Sequence, residues 1–361
     1  MKLAFLYTDK RGKYIASHLA KYADVVDIDL SDIKIGPFIR TISTTLSFHI
    51  NRSYWLNDYY RNPFIIDYLR KVYYQHIVSK GIGDVDAVLK FGVMVPCDYD
   101  IFKKSKLFLY ADGIYDPDSI FWSAPRFGAF FSSLQKKIYE SATVSFTFSD
   151  WARAQLHSRY AINLEKIVRC GWGPCLPVPS VKISKNVNPR KLIFVGNEIK
   201  RKGLDLLMDA YKRVRSKYYD VTLDVVGVNN FGGYRNDKGV KFYGQCDKGT
   251  VIDLLNQCHV LILPSRYDRS PHVIVEAMFY GVPVIVANTC GAPEPVVAGD
   301  CGIVVSVGSV NELENAIIEI LSKPELYSRM SANAVNEAFA HWSWDKICKE
   351  MVNVIQKSLG D

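Results

Sequence analysis

A chain of 361 residues has room for one large or two medium domains, each able to bury a core, and 48% hydrophobic with 23% charged residues is the composition of a soluble globular protein. No apolar run approaches the roughly 20 residues of a spanning helix, and the opening MKLAFLYTDK is too short in its apolar part for a secretory signal, so it reads as a first buried strand. The eight cysteines are scattered without a CxxC pair, which argues against a disulfide framework or zinc site and for a reducing cytosol, while a net charge of +8 admits anionic partners without choosing among them.

Short β-rich runs alternate with helical stretches, the pattern of βαβ units around a parallel sheet. In the first half, strands are expected at Leu3–Tyr7, Val25–Ile28, Ala87–Phe91, Leu107–Tyr110, Val144–Phe148 and Lys166–Val168. Between Pro37 and Lys80 the chain is unusually aromatic and basic, with Phe38, Arg40, Trp55, Tyr59, Arg61 and Tyr68 among its side chains. That mixture suits contact with anionic headgroups, stacking on sugars or bases, or a helix pair with its aromatic face in a core. Phe121, Trp122 and the run from Phe127 to Phe131 add apolar bulk suited to lining an acceptor cleft. The stretch GWGPCLPVPSVKISKNVNPRK is rich in Pro, Gly and polar residues without a periodic run, so it reads as a connector. Strands resume at Leu192–Val195, Val221–Val226, Val240–Tyr243, Val260–Leu263, Val284–Ala287 and Ile303–Val305. The expected division is a first domain over 1–172, a linker over 173–190 and a second domain over 191–343.

The segment LILPSRYDRSPHVIVEAMFYGVPVIVANTCGAPE, Leu261 to Glu294, carries the densest chemistry. Asp268 and Glu276 stand eight positions apart across an irregular SPHV turn, Asp268 just past a strand end and Glu276 in the first turn of the helix that follows. Ligands of open α/β sheets bind outside the carboxyl ends of the strands. Backbone N–H groups at a helix start suit a phosphate, and a carboxylate there accepts hydrogen bonds from sugar hydroxyls. Upstream, Gly196 ends a strand, and Asn197 to Lys202 form a basic loop before a helix opening at Gly203, with Lys200, Arg201 and Lys202 placed to neutralise a diphosphate or to form a solvated basic turn. Gly227, Gly244 and Gln245 mark two further strand-to-turn junctions, which serve a ligand or simply turn the chain.

The order Pro264-Ser265, Asp268, Glu276, Ala277-Met278, Gly281-Val282-Pro283-Val284, Gly291 and Glu294 resembles the donor-site signature of the retaining glycosyltransferases of family 4. The resemblance implies a GT-B fold, in which two Rossmann-like doubly wound parallel-sheet domains face a central cleft. It also implies that a last helix, here 344–361, crosses back onto the first domain. Lys202 resembles the family's pyrophosphate clamp, and the backbone around Ser270, His272 and Val273 would hold the distal phosphate. Glu276 would bond the ribose and Asp268 the sugar, and the backbone after Gly244 would lie along the base; His272 touches the sugar or stands as a merely solvated loop histidine. The family's usual Arg is replaced by Asn197, for which Arg201 is a candidate substitute. The first acidic residue, commonly Glu, is here Asp268, one methylene shorter. In the first domain Thr8 to Lys13 stand where a Gly-Gly loop is usual, and Asp112 falls near the family's His, where it holds a donor hydroxyl or caps a turn. Ser149 resembles the family's strand-end serine and reads most simply as a helix N-cap.

The expected protein is a retaining hexosyltransferase that is metal-independent and needs no cofactor. It would take a UDP-, GDP- or ADP-sugar and transfer the sugar to a saccharide or lipid-linked saccharide, as in envelope polysaccharide synthesis. Its expected place is the cytoplasm, at the inner face of the membrane if residues 37–80 touch lipid. A second reading is a degenerate sugar-nucleotide-binding module or partner subunit. A third, a base glucosyltransferase, rests on the positive charge alone. No basic run or nucleic-acid motif supports it, so no nucleic-acid partner is expected.

Overall fold

The computed structural model describes residues 1–31, 63–79, 84–92, 104–114, 128–181, 189–229, 233–234 and 237–360. The chain divides into two compact units, one formed by Met1–Cys170 with Cys348–Asp361 and the other by Gly171–Ile347. The residues expected to begin the linker, from 173 on, are therefore part of the second unit.

The first unit runs β1 (Lys2–Tyr7), α1 (Arg11–Leu19), β2 (Asp24–Asp29), α2 (Pro63–Ser79), β3 (Ala87–Phe91), β4 (Lys106–Ala111), α3 (Gly128–Ser141), β5 (Val144–Thr147), α4 (Asp150–Tyr160) and β6 (Ile167–Arg169). Its strands form a sheet in the order β2-β1-β3-β4-β5-β6, with every pair parallel. The apolar runs of β1 and β3 are buried along nearly their whole length, as parallel strands covered on both faces must be. Leu109 of β4 packs in one buried cluster with Ile138 and Tyr139 of α3 and Leu156 and Tyr160 of α4. Ser149 caps α4 by accepting a hydrogen bond from the Ala152 amide at 3.1 Å, as its type and position predict. Of the aromatic and basic stretch 37–80, residues 37–62 and 80 lie outside the described residues. Within α2, Tyr73 and Ile77 are buried while Tyr74 and Val78 are exposed. Phe121, Trp122 and Phe127 also lie outside the described residues.

The second unit contains β7 (Lys191–Val195), α5 (Ile199–Lys202), α6 (Leu204–Lys217), β8 (Thr222–Val226), β9 (Val240–Gly244), α7 (Lys248–Gln257), β10 (Val260–Leu263), α8 (His272–Phe279), β11 (Val284–Ala287), α9 (Glu294–Ala298), β12 (Gly302–Val305), α10 (Val310–Ser322) and α11 (Pro324–His341). A last helix, α12 (Trp344–Leu359), starts here, and from Cys348 onward it counts with the first unit, where Cys348 lies against the Ile15 carbonyl. The twelve strands of the described residues lie within one residue of their expected ends. The sheet order is β12-β11-β10-β7-β8-β9. Chain progress reverses direction between β7 and β10, which pair through Leu192–Val260 and Ile193–Leu261. Connections on the two sides of such a point leave to opposite faces and open a crevice at the strand ends.

Helix α8 is buried from Val273 through Phe279, so it is a core helix, apolar all round apart from Glu276. It packs on α11, where Phe279 meets Phe339 edge to face at 5.0 Å. Among the described residues, no helix is long and apolar enough to cross a membrane.

Candidate functional site

The loops after β7 and β10 meet at the switch point. The basic stretch after β7 is not simply a loop: Ile199–Lys202 forms one helical turn, closed by Gly203 at φ 76°. That glycine is required twice over. Left-handed backbone disfavours a side chain, and a Cβ there would lie 2.1 Å from the Pro264 carbonyl oxygen. The close approach brings the three cations to the end of β10, where each finds its own acid.

Lys202 Nζ donates to Asp268 Oδ2, with side chains 13% and 11% exposed. Lys200 reaches Asp205 at 2.9 Å, and Arg266 grips the same carboxylate through both guanidinium nitrogens at 2.7 and 2.9 Å. Burial pushes the Asp205 carboxyl up, but the hydrogen bonds and charges of Arg266 and Lys200 overcome this and hold it below its ordinary value. Arg201 turns to Glu198 at 2.6 Å and to the Tyr267 carbonyl at 3.3 Å. The candidate substitute for the family's arginine is therefore tied to its own helix turn and to the β10 loop. Asn197 is exposed beside it.

After β10 the chain runs through the SPHV turn into α8. Pro271 occupies the N-cap position, so the helix begins at His272 and Glu276 sits one turn deeper than the expected first turn. No side chain caps α8 and no acidic residue stands in its first turn, which leaves the positive end of the helix compatible with an anion. Pro271 has no N–H, so the amide donors of this turn are those of Ser270, His272 and Val273.

Glu276 is 7% exposed, and its Oε1 accepts the Cys175 amide at 2.8 Å. Burial pushes its carboxyl up to about 7 against the opposing pull of the Cys175 and Leu176 amides and of Lys248. The expected connector thus begins as a strap over α8. His272 Nδ1 bonds the Gly173 carbonyl at 2.7 Å, Trp344 Nε1 the Pro174 carbonyl at 2.7 Å, Lys248 Nζ the Cys175 carbonyl at 2.7 Å and Tyr280 Oη the Pro177 carbonyl at 2.9 Å. His272 is in this way aimed at backbone rather than standing as a solvated loop histidine.

At the neighbouring strand ends, three glycines align. The Gly196 amide donates to the Val226 carbonyl at 2.9 Å, and the Gly227 amide to the Gly244 carbonyl at 2.6 Å. Gly227 and Gly244 hold φ of 92° and 69°, and a Cβ on Gly227 would lie 2.6 Å from the Gly196 oxygen. The Gln245 amide donates to Asn229 Oδ1 at 3.1 Å. The expected donor-site residues Gly196, Asn197, Arg201, Lys202, Gly244, Gln245, Asp268, Ser270, His272, Val273 and Glu276 therefore all belong to the second unit, around the carboxyl ends of β7, β9 and β10. Asp112 belongs to the first unit, exposed just after β4. Thr8 to Lys13 lie there too, with Arg11 paired to Asp9 at 2.6 Å. Among the described residues no cluster of three or more His, Cys, Asp or Glu side chains could hold a metal ion. Sequence reasoning missed the Arg266–Asp205 pair and the strap. The first had a signal in the opposite charges beside Lys202 and Asp268; the second works largely through backbone groups and had none.

A family profile described as "Glycosyl transferases group 1" matches residues 180–337, nearly all of the second unit. The second unit belongs to the glycosyl transferases group 1. An uncharacterised glycosyltransferase of Methanocaldococcus jannaschii is 28% identical over 176 residues, 47% of this chain and 48% of that protein. A GDP-mannose-dependent monoacylated α-(1-6)-phosphatidylinositol monomannoside mannosyltransferase of Corynebacterium glutamicum is 29% identical over 171 residues, 44% of this chain and 45% of that protein. The chain thus spans about half the length of the curated relatives it matches. HepE from Anabaena, solved with UDP, shares the fold at a TM-score of 0.66 and 17% identity, over 99% of this chain and 100% of that one. Two parallel six-stranded sheets with flanking helices make this a GT-B fold, as the resemblance of the donor-site signature implied.

Proposed function

We propose that the protein is a retaining glycosyltransferase of family 4 that takes a nucleoside-diphosphate sugar in its second unit. The observation that carries this reading is the buried Lys202–Asp268 pair at the switch point, beside the uncapped start of α8. Lys202 and the amides of Ser270, His272 and Val273 would neutralise the leaving diphosphate, an electrostatic task that needs fixed donors rather than a metal. Glu276 would accept from the ribose hydroxyls, and Asp268, exchanging Lys202 for a sugar hydroxyl, would hold the transferred sugar. In a retaining transfer the leaving phosphate would take the acceptor's proton.

The acceptor is a saccharide or lipid-linked saccharide of envelope polysaccharide synthesis, with the cytoplasmic face of the membrane as the place of action. The mannosyltransferase relative, named for a phosphatidylinositol mannoside, supports a lipid-linked acceptor. The experiment is to incubate the protein with UDP-, GDP- and ADP-sugars and a panel of saccharide acceptors, reading nucleoside diphosphate release and the anomeric configuration of the product. An α-linked product from an α-linked donor supports the reading. An inverted product contradicts retention, and no product from any pair contradicts transfer.

A second reading, a sugar-nucleotide-binding subunit without turnover, draws on Arg201: the one candidate for the missing family cation is engaged with Glu198 and the Tyr267 carbonyl. Nucleotide binding without sugar release under any acceptor would support it.

A further inference from the structure

Cys175 is gripped at both ends. Lys248 Nζ holds its carbonyl at 2.7 Å, and its amide donates to Glu276 Oε1 at 2.8 Å. The next amide, that of Leu176, also turns toward the Glu276 carboxylate, and it belongs to the same peptide group whose carbonyl Lys248 holds. A cation on a peptide oxygen polarises the N–H at the other end of that peptide, so the chain ammonium, peptide, carboxylate is cooperative. Lys248 itself is well placed for this. It is the first residue of α7, three positions past Gln245, and the helix is capped by Asp247 accepting from the Thr250 amide at 3.0 Å.

The rest of the strap is fixed independently of Lys248. His272, Trp344 and Tyr280 hold the carbonyls of Gly173, Pro174 and Pro177. A Cβ on Gly173 would lie 2.5 Å from the Trp344 ring, so the strap passes where only glycine fits. Loss of Lys248 would therefore leave the strap seated while releasing one peptide.

We propose that Lys248 is a positioning residue for nucleotide recognition: by holding the Cys175 carbonyl it orients the Leu176 amide that, beside the Cys175 amide, aims Glu276, linking the turn after β9 to the carboxylate on α8. The proposal rests on the reading of the second unit as a nucleoside-diphosphate-sugar site with Glu276 on the ribose. A carboxylate has about four acceptor sites; with Oε1 committed to Cys175, the ribose hydroxyls depend on how the remaining ones are aimed.

Several charged or titratable groups stand on the elements around Glu276. Lys248 comes from α7, His272 and Tyr280 from α8 and its end, Glu294 from α9, and Arg329 and Glu337 from α11; β11 carries none. Arg329 pairs with Asp300, and Glu337 accepts from Trp342 at 3.0 Å. Tyr280 is pushed up, first by burial and then by Glu276 itself. Lys248 is the group whose charge favours the ionised carboxylate.

The test measures affinity for UDP, GDP and ADP between about pH 6 and pH 9 in the parent, Lys248→Met, Lys248→Arg and Glu276→Gln. Glu276→Gln removes the titrating carboxyl and leaves the nucleotide's own phosphate titration as the baseline. The parent should gain affinity over that baseline as Glu276 ionises. Lys248→Met should move that gain upward by roughly half a pH unit or more and weaken binding near neutrality about threefold to tenfold, while Lys248→Arg restores the parent midpoint. A Lys248→Met midpoint equal to the parent's, in a parent that shows the gain, overturns the role of Lys248 and leaves the nucleotide site standing. A parent that binds none of the three nucleotides, or matches Glu276→Gln at every pH, overturns the site and this role together.

Discussion

Lys202 and Asp268 reach each other across the switch point of the second sheet, one from the turn after β7 and the other from the loop after β10. Neither loop alone makes the pair; the reversal of strand order between β7 and β10 brings them together. With both side chains nearly buried, each charge depends on the other. Lys202→Met or Asp268→Asn alone should each cost about 3 kcal/mol, because a lone charge is left in a poorly solvated place. The double variant should recover part of that loss, as a double-mutant cycle by chemical denaturation will read. Transfer should fall about 100-fold or more in Lys202→Met, whose cation would meet the developing diphosphate charge.

Glu276 predicts a gain of stability from a loss of function. Burial raises its carboxyl from the ordinary 4.5 to about 7 in the folded state. An acid raised in this way stabilises the fold fully below the unfolded value, and that contribution is lost as pH rises through the folded one. The shift is worth about 3 kcal/mol. Glu276→Gln, which keeps an acceptor for the Cys175 amide, should therefore match the parent near pH 4.5 and exceed its stability by up to about 3 kcal/mol near pH 8. Denaturation at the two pH values checks this. A parent stability that rises across this window relative to Glu276→Gln would contradict the buried state of the carboxyl.

Gly203 and Gly308 separate two costs of replacing glycine. Both hold positive φ, 76° and 84°, but a Cβ on Gly203 would strike the Pro264 carbonyl at 2.1 Å while nothing lies within 4 Å of one on Gly308. Gly308→Ala should cost about 1 kcal/mol, the conformational term alone. Gly203→Ala should cost several times that and should also abolish nucleotide binding, because the β7 and β10 loops must part.

Arg266 makes a fork-to-fork contact that a point charge cannot copy. Arg266→Lys should lose about 1–2 kcal/mol and Arg266→Met more, since Asp205 then keeps only Lys200, itself mostly exposed. The carboxyl of Asp205 is held below its usual value of 3.8, so its contribution is present above that pH and disappears as pH falls through the lower, folded value. The variants should thus differ from the parent least in strong acid, which an acid titration of stability will show.

The strands were legible because a parallel sheet covered on both faces needs continuous apolar runs: LAFLY, VLIL and VIVA name themselves. Lys202, Asp268 and Glu276 stood out as candidates because side-chain chemistry at fixed spacing leaves a trace, and Gly227 and Gly244 because positive φ at a strand end favours glycine. The depth of Glu276 was misplaced because Pro271 starts α8 before its apolar run begins. The strap was read as a linker because its partners meet carbonyls and amides, which every residue has. The tie of Arg201, the candidate substitute for the family's arginine, was not legible because nothing in its own neighbourhood of the chain announces the Tyr267 carbonyl, distant in sequence and close in space.

The most direct test of the account is calorimetric titration of the protein with UDP, GDP and ADP, repeated with Glu276→Ala. The account predicts that one of the three binds the parent and that the variant, still folded by its melting transition, loses at least about tenfold in affinity, the order of one charge-assisted hydrogen bond. Binding of none of them, or equal binding by parent and variant, would contradict a nucleotide site at the end of β10.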